Sequence, residues 1–448
     1  MTEFGKTLSL HETTIPGLLV LELPVHGDSR GWFKENWQRE KMLALGLPDL
    51  GPVQNNISFN DEVGTTRGIH AEPWDKYVSV ATGRIFGAWV DLREGPSFGA
   101  VFTTEVDASK AIFVPRGVAN SYQTLEADTA YIYLVNDHWS PEADYTFLNL
   151  ADETANIPWP IPLENALLSE KDAKHPRLVD VVPMKPRKTL VLGANGQLGL
   201  ALRATLLDAE FFARTDFDLT DENAYAGVTW KNYATVINAS AYTEVDVAET
   251  PEGRQAAWAS NAIAVSNLAR ACAANRVTLV HVSSDYVFDG TSQHAYSEEA
   301  PLSPLGVYAQ TKAAGDISVA TLPQHYLVRT SWAIGEGRNF VRTMASLAER
   351  GVHPSVVNDQ RGRLTFTQDL AAGIVHLVES GAPFGTYNLT NEGEPATWAE
   401  IAKQVFEITG HDPSRVTGVS TAQYFEGKEG IAPRPANSLL DLTKIEAT

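Results

Sequence analysis

The most restrictive feature of this chain is a turn of three glycines, Gly193-x-x-Gly196-x-x-Gly199, set between the apolar runs of "LVLGANGQLGLAL" (residues 190–202). A buried strand that turns sharply into a helix needs such a pattern. Glycine permits the tight turn, lets a pyrophosphate approach the backbone, and allows the helix to pack closely on the strand. The stretch therefore predicts the first strand–turn–helix unit of a dinucleotide-binding sheet, with Gly193, Gly196, Gln197, Leu198 and Gly199 at the cofactor. Units of this kind usually open a domain, yet this one lies far into the chain.

The residues before it are written in a different grammar. Short strand-like runs, "KYVSV", "IFGAWVDL", "AIFVP" and "TAYIYLV", alternate with Gly-, Pro- and Asp-rich turns, which predicts an all-β sandwich or barrel. Pro183 and Pro186 in "PMKPRK" interrupt any helix or central strand. Beyond them, buried runs such as "TLVLG", "TVINAS", "TLVHVSS" and "HYLVRTS" alternate with helical segments such as "AIAVSNLARACAAN". That alternation predicts a parallel, doubly wound α/β sheet with ligands at the carboxyl ends of its strands. A chain of 448 residues, 44% of them apolar, is long enough for two cores. The expected domains are residues 1–184, all-β, and residues 185–448, α/β.

Net charge is −20, with both halves acidic, which argues against a nucleic-acid or anionic-membrane partner while leaving room for a local basic pocket. The single cysteine, Cys272, can form neither an intrachain disulfide nor a thiolate zinc site. No apolar run approaches the roughly 20 residues that span a bilayer, and the first residues carry no signal-peptide pattern. A cytoplasmic location is expected.

In "VYAQTK", Tyr308 and Lys312 stand four residues apart, hence on one face of a helix. An ammonium beside a phenol would lower the tyrosine pKa and make it a workable proton donor near neutrality. Together with the glycine turn, the segments "VINASAYTEVDVAE", "SSDYVFDG", "YAQTK", "RTSWAIG", "NDQRGRLT" and "RPANSLLD" closely resemble the dTDP-4-dehydrorhamnose reductases over residues 189–445. The resemblance implies a Rossmann fold of the extended short-chain dehydrogenase type. It implies that Ser284 hydrogen-bonds the C4 carbonyl of the sugar, that Tyr308 protonates its oxygen, and that Lys312 tunes Tyr308 and holds the nicotinamide ribose. Val245, Asp285, Tyr286 and Trp332 fall at substrate positions, and Ala239, Ala241 and Tyr242 beside the cofactor. The family usually has Thr where Ser284 stands; the hydroxyl is kept.

Arg214 follows the second strand of this half, where a cation pairs with a 2′-phosphate, and so points to NADPH. Asp216 and Asp218 offer the alternative of an NADH ribose. Mg²⁺ accompanies some relatives of the reductase, but nothing in the sequence marks a site for it.

In the first half, "DSRGWFKENW", "QNNIS" and "RGIHAEPWDKYVSV" are polar clusters within strand-like surroundings. Arg30 and Arg67 are candidates for a pyrophosphate, whose geometry a guanidinium matches. His70 raises the question of a metal, but Ala71 and Glu72 follow it where a His-x-His pair would be needed, and the turn "PRGVANSY" offers Asn120 in place of a histidine. On that reading the site is metal-free and His70 is a base.

These segments, with "DLREGPSFG", "IPWP" and "LLSEKD", resemble the dTDP-4-dehydrorhamnose 3,5-epimerases over residues 10–180 and imply a cupin or jelly-roll fold. By resemblance His70 is the base, Asp172 its orienting carboxylate, Tyr133 the proton donor and Lys76 the cation for the C4 oxyanion. Arg30, Glu35, Gln54, Asn56, Arg67 and Asn120 are the implied substrate contacts. The family pairs as a homodimer through strands. The sequence thus reads as a fusion of epimerase and reductase acting in turn on a dTDP-sugar. The alternatives are a reductase with an inactive sugar-nucleotide-binding cupin, or a non-catalytic nucleotide-binding regulator.

Overall fold

The computed structural model describes residues 4–141 and 143–448. The chain divides into two compact units, Met1–Pro186 and Arg187–Thr448. Met184 is carried into the first unit by a β-bridge to Arg93 and by the Glu94 N–H, which donates to its carbonyl.

The first unit is built from two antiparallel sheets. One has six strands in the order Ser9–Glu12, Leu19–Glu22, Lys110–Val114, Lys76–Thr82, Thr129–Val135 and Gln54–Asn60; the other has five, in the order Thr146–Phe147, Thr66–Ala71, Val118–Thr124, Ile85–Asp91 and Val101–Val106. The period-2 side-chain rule explains how one strand serves two cores. In Ile85–Asp91, Ile85 and Trp89 pack with Val78, Val80, Ile112, Tyr122 and Tyr131. Ala88 and Val90 face the other way, onto Leu148, Leu150, Ile157 and Leu178 from the long C-terminal loop. A third cluster closes the outer face of the six-stranded sheet with Met42 of helix Arg39–Ala44 against Leu21, Tyr77 and Phe113.

The second unit carries a six-stranded parallel sheet in the order Glu210–Phe212, Lys188–Leu192, Tyr233–Asn238, Thr278–Ser284, His325–Thr330 and Gly385–Asn388. Both faces are buried, so the strands read as continuous apolar runs. Leu190, Leu192, Val236, Leu279 and Leu327 pack against helix Ala264–Asn275. Val191, Ile237, Val280 and Val328 face helices Gln197–Thr205 and Thr367–Glu379. The chain leaves strand Lys188–Leu192 toward one edge and later returns on its other side, which opens a crevice beyond the carboxyl ends. A smaller lobe packs helices Phe340–Glu349 and Trp398–Ile408 through Met344, Ala348, Ile401 and Phe406. No helix among the described residues is long and apolar enough to cross a membrane.

Candidate active sites

In the first unit a cavity of about 510 Å³ is lined by Arg67, His70, Glu72, Lys76, Asn120, Tyr133 and Asp172, among others. His70 projects from strand Thr66–Ala71, and its Nε2 lies 3.1 Å from Asp172 Oδ1. Asp172 sits in a 3₁₀ turn, Asp172–Lys174, where its N–H donates to Ser169 Oγ (3.0 Å) and its Oδ2 accepts from the Gly68 N–H (3.4 Å). Burial pushes the Asp172 carboxyl up, but the hydrogen bond and charge of His70, the Gly68 N–H and His175 outweigh it, and the net shift is downward. Asp172 is therefore an acceptor, which places the His70 proton on Nε2 and leaves Nδ1 as the basic nitrogen.

Lys76 opens strand Lys76–Thr82 and is buried in an ion pair with Glu72, which lies across the intervening turn. The same ammonium lies 5.0 Å from the centre of the Tyr133 ring. Burial, then the charge of Glu72, raises the Tyr133 phenol above its ordinary value and keeps it protonated. Arg67 is aimed by its Nε–H donation to Asn60 Oδ1 (3.1 Å). Asn120 Oδ1 accepts from the Tyr131 hydroxyl (3.0 Å), and Tyr131 stacks on Tyr122 with ring centres 4.2 Å apart.

Four of the residues proposed from sequence lie outside this cavity. Arg30 is 87% exposed in the turn between Val25–Asp28 and Gly31–Lys34, where it pairs with Asp28 (2.5 Å). Glu35 pairs with Lys41 (2.9 Å). Gln54 and Asn56 stand on the edge strand Gln54–Asn60 and bond each other (2.9 Å). Two neighbours of the reacting groups escaped the sequence reading: Glu72, noted there only as a missing metal ligand, and His175. His175 Nε2 is 3.9 Å from Asp172 Oδ1, and the ring lies 5.2 Å from that of His70. An imidazole supplied by the loop of Asp172, about a hundred residues along the chain, leaves no trace beside His70 in the sequence.

In the second unit, Ser284 ends strand Thr278–Ser284; its hydroxyl donates to Asp285 Oδ1 (2.9 Å) and accepts from the Tyr286 N–H (3.2 Å). Tyr308 and Lys312 stand on helix Val307–Ala320. Burial, then the charge of Asp285, pushes the Tyr308 phenol up to about 12, with the hydrogen bond between Tyr308 and Ser284 opposing them. This corrects the expectation of a depressed phenol. The Lys312 ammonium donates instead to the Val282 carbonyl (2.8 Å) and lies 3.4 Å from His281 Nε2. Burial lowers Lys312 to about 8 against the opposing charge of Asp316, and the same cause raises Asp285 to about 6.

A buried polar chain runs behind these groups. The Ser240 N–H (3.1 Å) and hydroxyl (2.8 Å) both donate to Asn238 Oδ1. That fixes the amide so that its NH₂ faces His281 Nδ1 at 3.1 Å. With Nδ1 accepting, neutral His281 carries its proton on Nε2, toward Lys312. Burial, then the charge of Lys312, holds the His281 imidazole well below its ordinary value.

The glycine turn forms the cradle that a dinucleotide requires. Gly193 has φ +86°, and a Cβ there would meet Ser240 N at 2.8 Å; a Cβ on Gly199 would meet the Gly193 carbonyl at 2.2 Å. Gly196 caps helix Gln197–Thr205 without a side-chain acceptor, leaving its first N–H groups, those of Gln197, Leu198 and Gly199, to an anion. Beside it a cavity of about 290 Å³ is lined by Gly193, Arg214, Asp218, Ser240, Ala241 and Tyr242, among others. Arg214, 82% exposed, pairs with Asp218 (3.1 Å). Ala239 is tied to the first strand by its N–H to Leu192 O (3.0 Å).

The sequence reading did not single out Asn261, which sits in a π turn, Ala259–Ile263. It accepts from the Tyr242 N–H (2.9 Å) and donates to Tyr242 O (3.0 Å) and Thr311 Oγ1 (3.2 Å), so it holds the Tyr242 loop against the Tyr308 helix. Its signal was a π turn, a feature common at functional sites that leaves no periodic trace in sequence. Tyr286 packs edge-on to Tyr308 at 5.8 Å, and Trp332, at φ +44°, stacks on Trp398 at 3.8 Å. Val245, half-buried, lies in the loop after Tyr242, one residue before Asp246, which pairs with Arg434 (2.8 Å).

Comparison with known proteins finds relatives for each half of the chain. Residues 12–180 match the family model described as dTDP-4-dehydrorhamnose 3,5-epimerase, and residues 187–448 that described as RmlD substrate binding domain. The chain is 53% identical over 197 residues to a protein RmlC homolog of Streptococcus pyogenes, covering 42% of this chain and 99% of that one. It is 37% identical over 263 residues to the dTDP-4-dehydrorhamnose reductase of Mycobacterium tuberculosis, covering 56% and 83%. A crystal structure of dTDP-4-dehydrorhamnose reductase from Bacillus anthracis in complex with NADP superposes with a TM-score of 0.54 at 32% identity, over 58% of this chain and 92% of that one. With each half matched over nearly its full extent, the chain belongs to both families: an RmlC-type 3,5-epimerase domain followed by an RmlD-type reductase domain.

Proposed function

We propose that this chain carries out two consecutive steps of dTDP-L-rhamnose synthesis: 3,5-epimerisation of dTDP-4-dehydro-6-deoxy-D-glucose, then reduction of dTDP-4-dehydro-L-rhamnose at C4. The observation that carries the reading is the presence in one polypeptide of the His70–Asp172 pair facing a cavity with Lys76 and Tyr133, and of Ser284, Tyr308 and Lys312 beside a dinucleotide cradle.

In the first step His70 Nδ1 removes the proton at C3 or C5. Both carbons flank the C4 ketone, so either loss places negative charge on the C4 oxygen, where Lys76 stabilises it. Glu72 holds Lys76 in the cavity until that charge develops. Tyr133, kept protonated by burial, returns a proton on the opposite face. Arg67 receives the pyrophosphate and Asn120 lines the sugar pocket.

In the second step NADPH supplies the hydride. Gly193, Gly196 and Gly199 would hold its pyrophosphate, Ala239, Ala241 and Tyr242 would flank it, and Arg214, released from Asp218, would meet the 2′-phosphate. Ser284 hydrogen-bonds the C4 oxygen and Tyr308 gives it a proton; Asp285, Tyr286, Val245 and Trp332 shape the sugar site. Arg214→Ala is expected to raise KM for NADPH by about 10-fold, the loss of a charge-assisted hydrogen bond, and to leave KM for NADH unchanged. Equal effects on both cofactors would remove Arg214 from that role.

A homodimer in the cytoplasm completes the proposal. Edge strand Gln54–Asn60 presents Ile57 (66% exposed) and Phe59 (54% exposed) along unpaired backbone, an edge that folded proteins normally cover. Gln54 and Asn56 lie on this edge strand.

The test is one reaction. In D₂O without NADPH, the full chain should exchange the C3 and C5 hydrogens of dTDP-4-dehydro-6-deoxy-D-glucose. With NADPH added, NMR of the product should show the L-rhamno configuration. NADPH oxidation without prior exchange would leave a reductase joined to an inactive sugar-nucleotide-binding domain.

A further inference from the structure

Asp172 has a second imidazole beside it. His175 is buried to 9% exposure, its ring stacked on Phe147 with centres 4.7 Å apart, and its Nε2 is buried without a hydrogen-bond partner. That nitrogen lies 3.9 Å from Asp172 Oδ1, which is itself 3.1 Å from His70 Nε2, and the three ligand atoms all fall within 4.8 Å of one another. A carboxylate and two imidazoles converging on one point, one imidazole nitrogen lacking a hydrogen bond, form a donor set suited to a transition-metal dication.

We propose that His70, Asp172 and His175 bind Zn²⁺, and that its binding switches off epimerisation. The proposal rests on the reading of His70 as the base. Zinc bonds of about 2.0–2.1 Å in tetrahedral geometry set ligand atoms roughly 3.3 Å apart, so the site closes by drawing His175 inward, by about 0.6 Å toward Asp172 and by up to about 1.5 Å toward His70, and by parting His70 from Asp172 slightly. The fourth position is left to water. Coordination at His70 Nε2 requires its proton to leave that atom. In the neutral ring the proton moves to Nδ1, so no net charge is lost, and the lone pair that would attack C3 or C5 is gone. No residue of the second unit takes part, so reduction continues.

The test uses the full chain freed of metal by a chelator. Co²⁺, as a spectroscopic substitute, should give the intense visible absorption of a four-coordinate site at one ion per chain. Zn²⁺ should suppress C3 and C5 exchange while leaving Tyr308-dependent NADPH oxidation of supplied dTDP-4-dehydro-L-rhamnose intact. His175→Phe keeps the stack on Phe147, and His175→Gln keeps a neutral polar group. Both should exchange within a few-fold of the wild type in chelator, yet need at least ~100-fold more Zn²⁺ for inhibition, since loss of even a supporting group typically weakens a metal site 10–100-fold. Equal Zn²⁺ sensitivity in wild type and both variants, or no Co²⁺ absorption, would overturn the metal site. Failure of the base reading shows differently: wild-type exchange in chelator that survives His70→Ala.

Discussion

The two active sites handle buried charge in opposite ways. In the first unit the buried ions are each held by a dedicated partner: Lys76 by the opposite charge of Glu72, and Asp172 by the hydrogen bond of neutral His70. In the second, Tyr308 and Asp285 are drawn toward their neutral forms and Lys312 down to about 8, with burial the leading cause for all three. The difference follows from the proposed chemistry. An enolate needs a full cation waiting for it, whereas delivery of a proton from a phenol needs that proton held until hydride arrives. Substitutions should therefore separate the sites by kind as well as by reaction.

The largest expected effect is a double dissociation. Tyr308→Phe should lower NADPH oxidation by about 10²–10⁴-fold, the range of a positioned general acid, while C3 and C5 exchange in D₂O continues. His70→Ala should do the reverse, with exchange measured on dTDP-4-dehydro-6-deoxy-D-glucose and NADPH oxidation measured in both variants on supplied dTDP-4-dehydro-L-rhamnose. If either variant depressed both reactions equally, with circular dichroism unchanged, the assignment of one reaction to each unit would fail.

That division was largely legible in the sequence, for a physical reason. Alternating and continuous apolar runs report which strand faces are buried, so a two-sided sheet in Lys188–Leu192 and paired cores about Ile85–Asp91 follow from composition along the strand. Tyr308 and Lys312 could be grouped because helical spacing is local. Glu72, His175 and Asn261 could not, since each acts through contacts made by a turn or by distant loops. The direction of the Tyr308 shift was also out of reach. Spacing puts Lys312 on the same helix face but does not say that its ammonium turns to Val282 and His281.

The paired site should fail when one member is removed. Glu72→Gln leaves the buried Lys76 ammonium without its carboxylate, which typically destabilises by about 3–5 kcal/mol. The loss should appear in denaturant unfolding of the full chain as an earlier transition of the β-rich unit. A double variant, Glu72→Gln with Lys76→Met, should recover much of it, because an uncharged pair of similar volume needs no partner. No recovery would mean that Glu72 supports the fold by some route other than Lys76.

The unpaired site should gain from losing its charge. Lys312 has a folded pKa near 8 against an ordinary 10.5, so the unfolded chain binds its proton more tightly. Stability is then penalised fully below pH 8 and recovers as pH rises from about 8 toward 10.5. Lys312→Met should remove a penalty of up to about 3 kcal/mol at pH 7, at 1.36 kcal/mol per unit, and abolish reduction. A variant less stable than the wild type at pH 7 would show that the contacts to Val282 and Asp316 outweigh burial.

The smallest effects lie on the acid side, where two neighbours of the reductase trio pull in opposite directions. His281 has a depressed folded pKa, so its contribution is present above about pH 6.5 and is lost as pH falls, when the unfolded chain takes up a proton the folded chain refuses. Asp285, raised to about 6, does the reverse: the folded state holds its proton more tightly, and stability increases as pH falls from 6 toward 4. Between pH 4 and 6 each slope has a ceiling of about 1.4 kcal/mol per pH unit, and in the wild type they offset. His281→Gln should leave the Asp285 slope alone, so that this variant gains stability on acidification. Asp285→Asn should expose the His281 slope and lose stability faster than the wild type. Thermal unfolding of the second unit's transition at half-unit pH steps measures both. If the two variants shifted the acid limb in the same direction, the opposed burial of these two groups could not be what sets it.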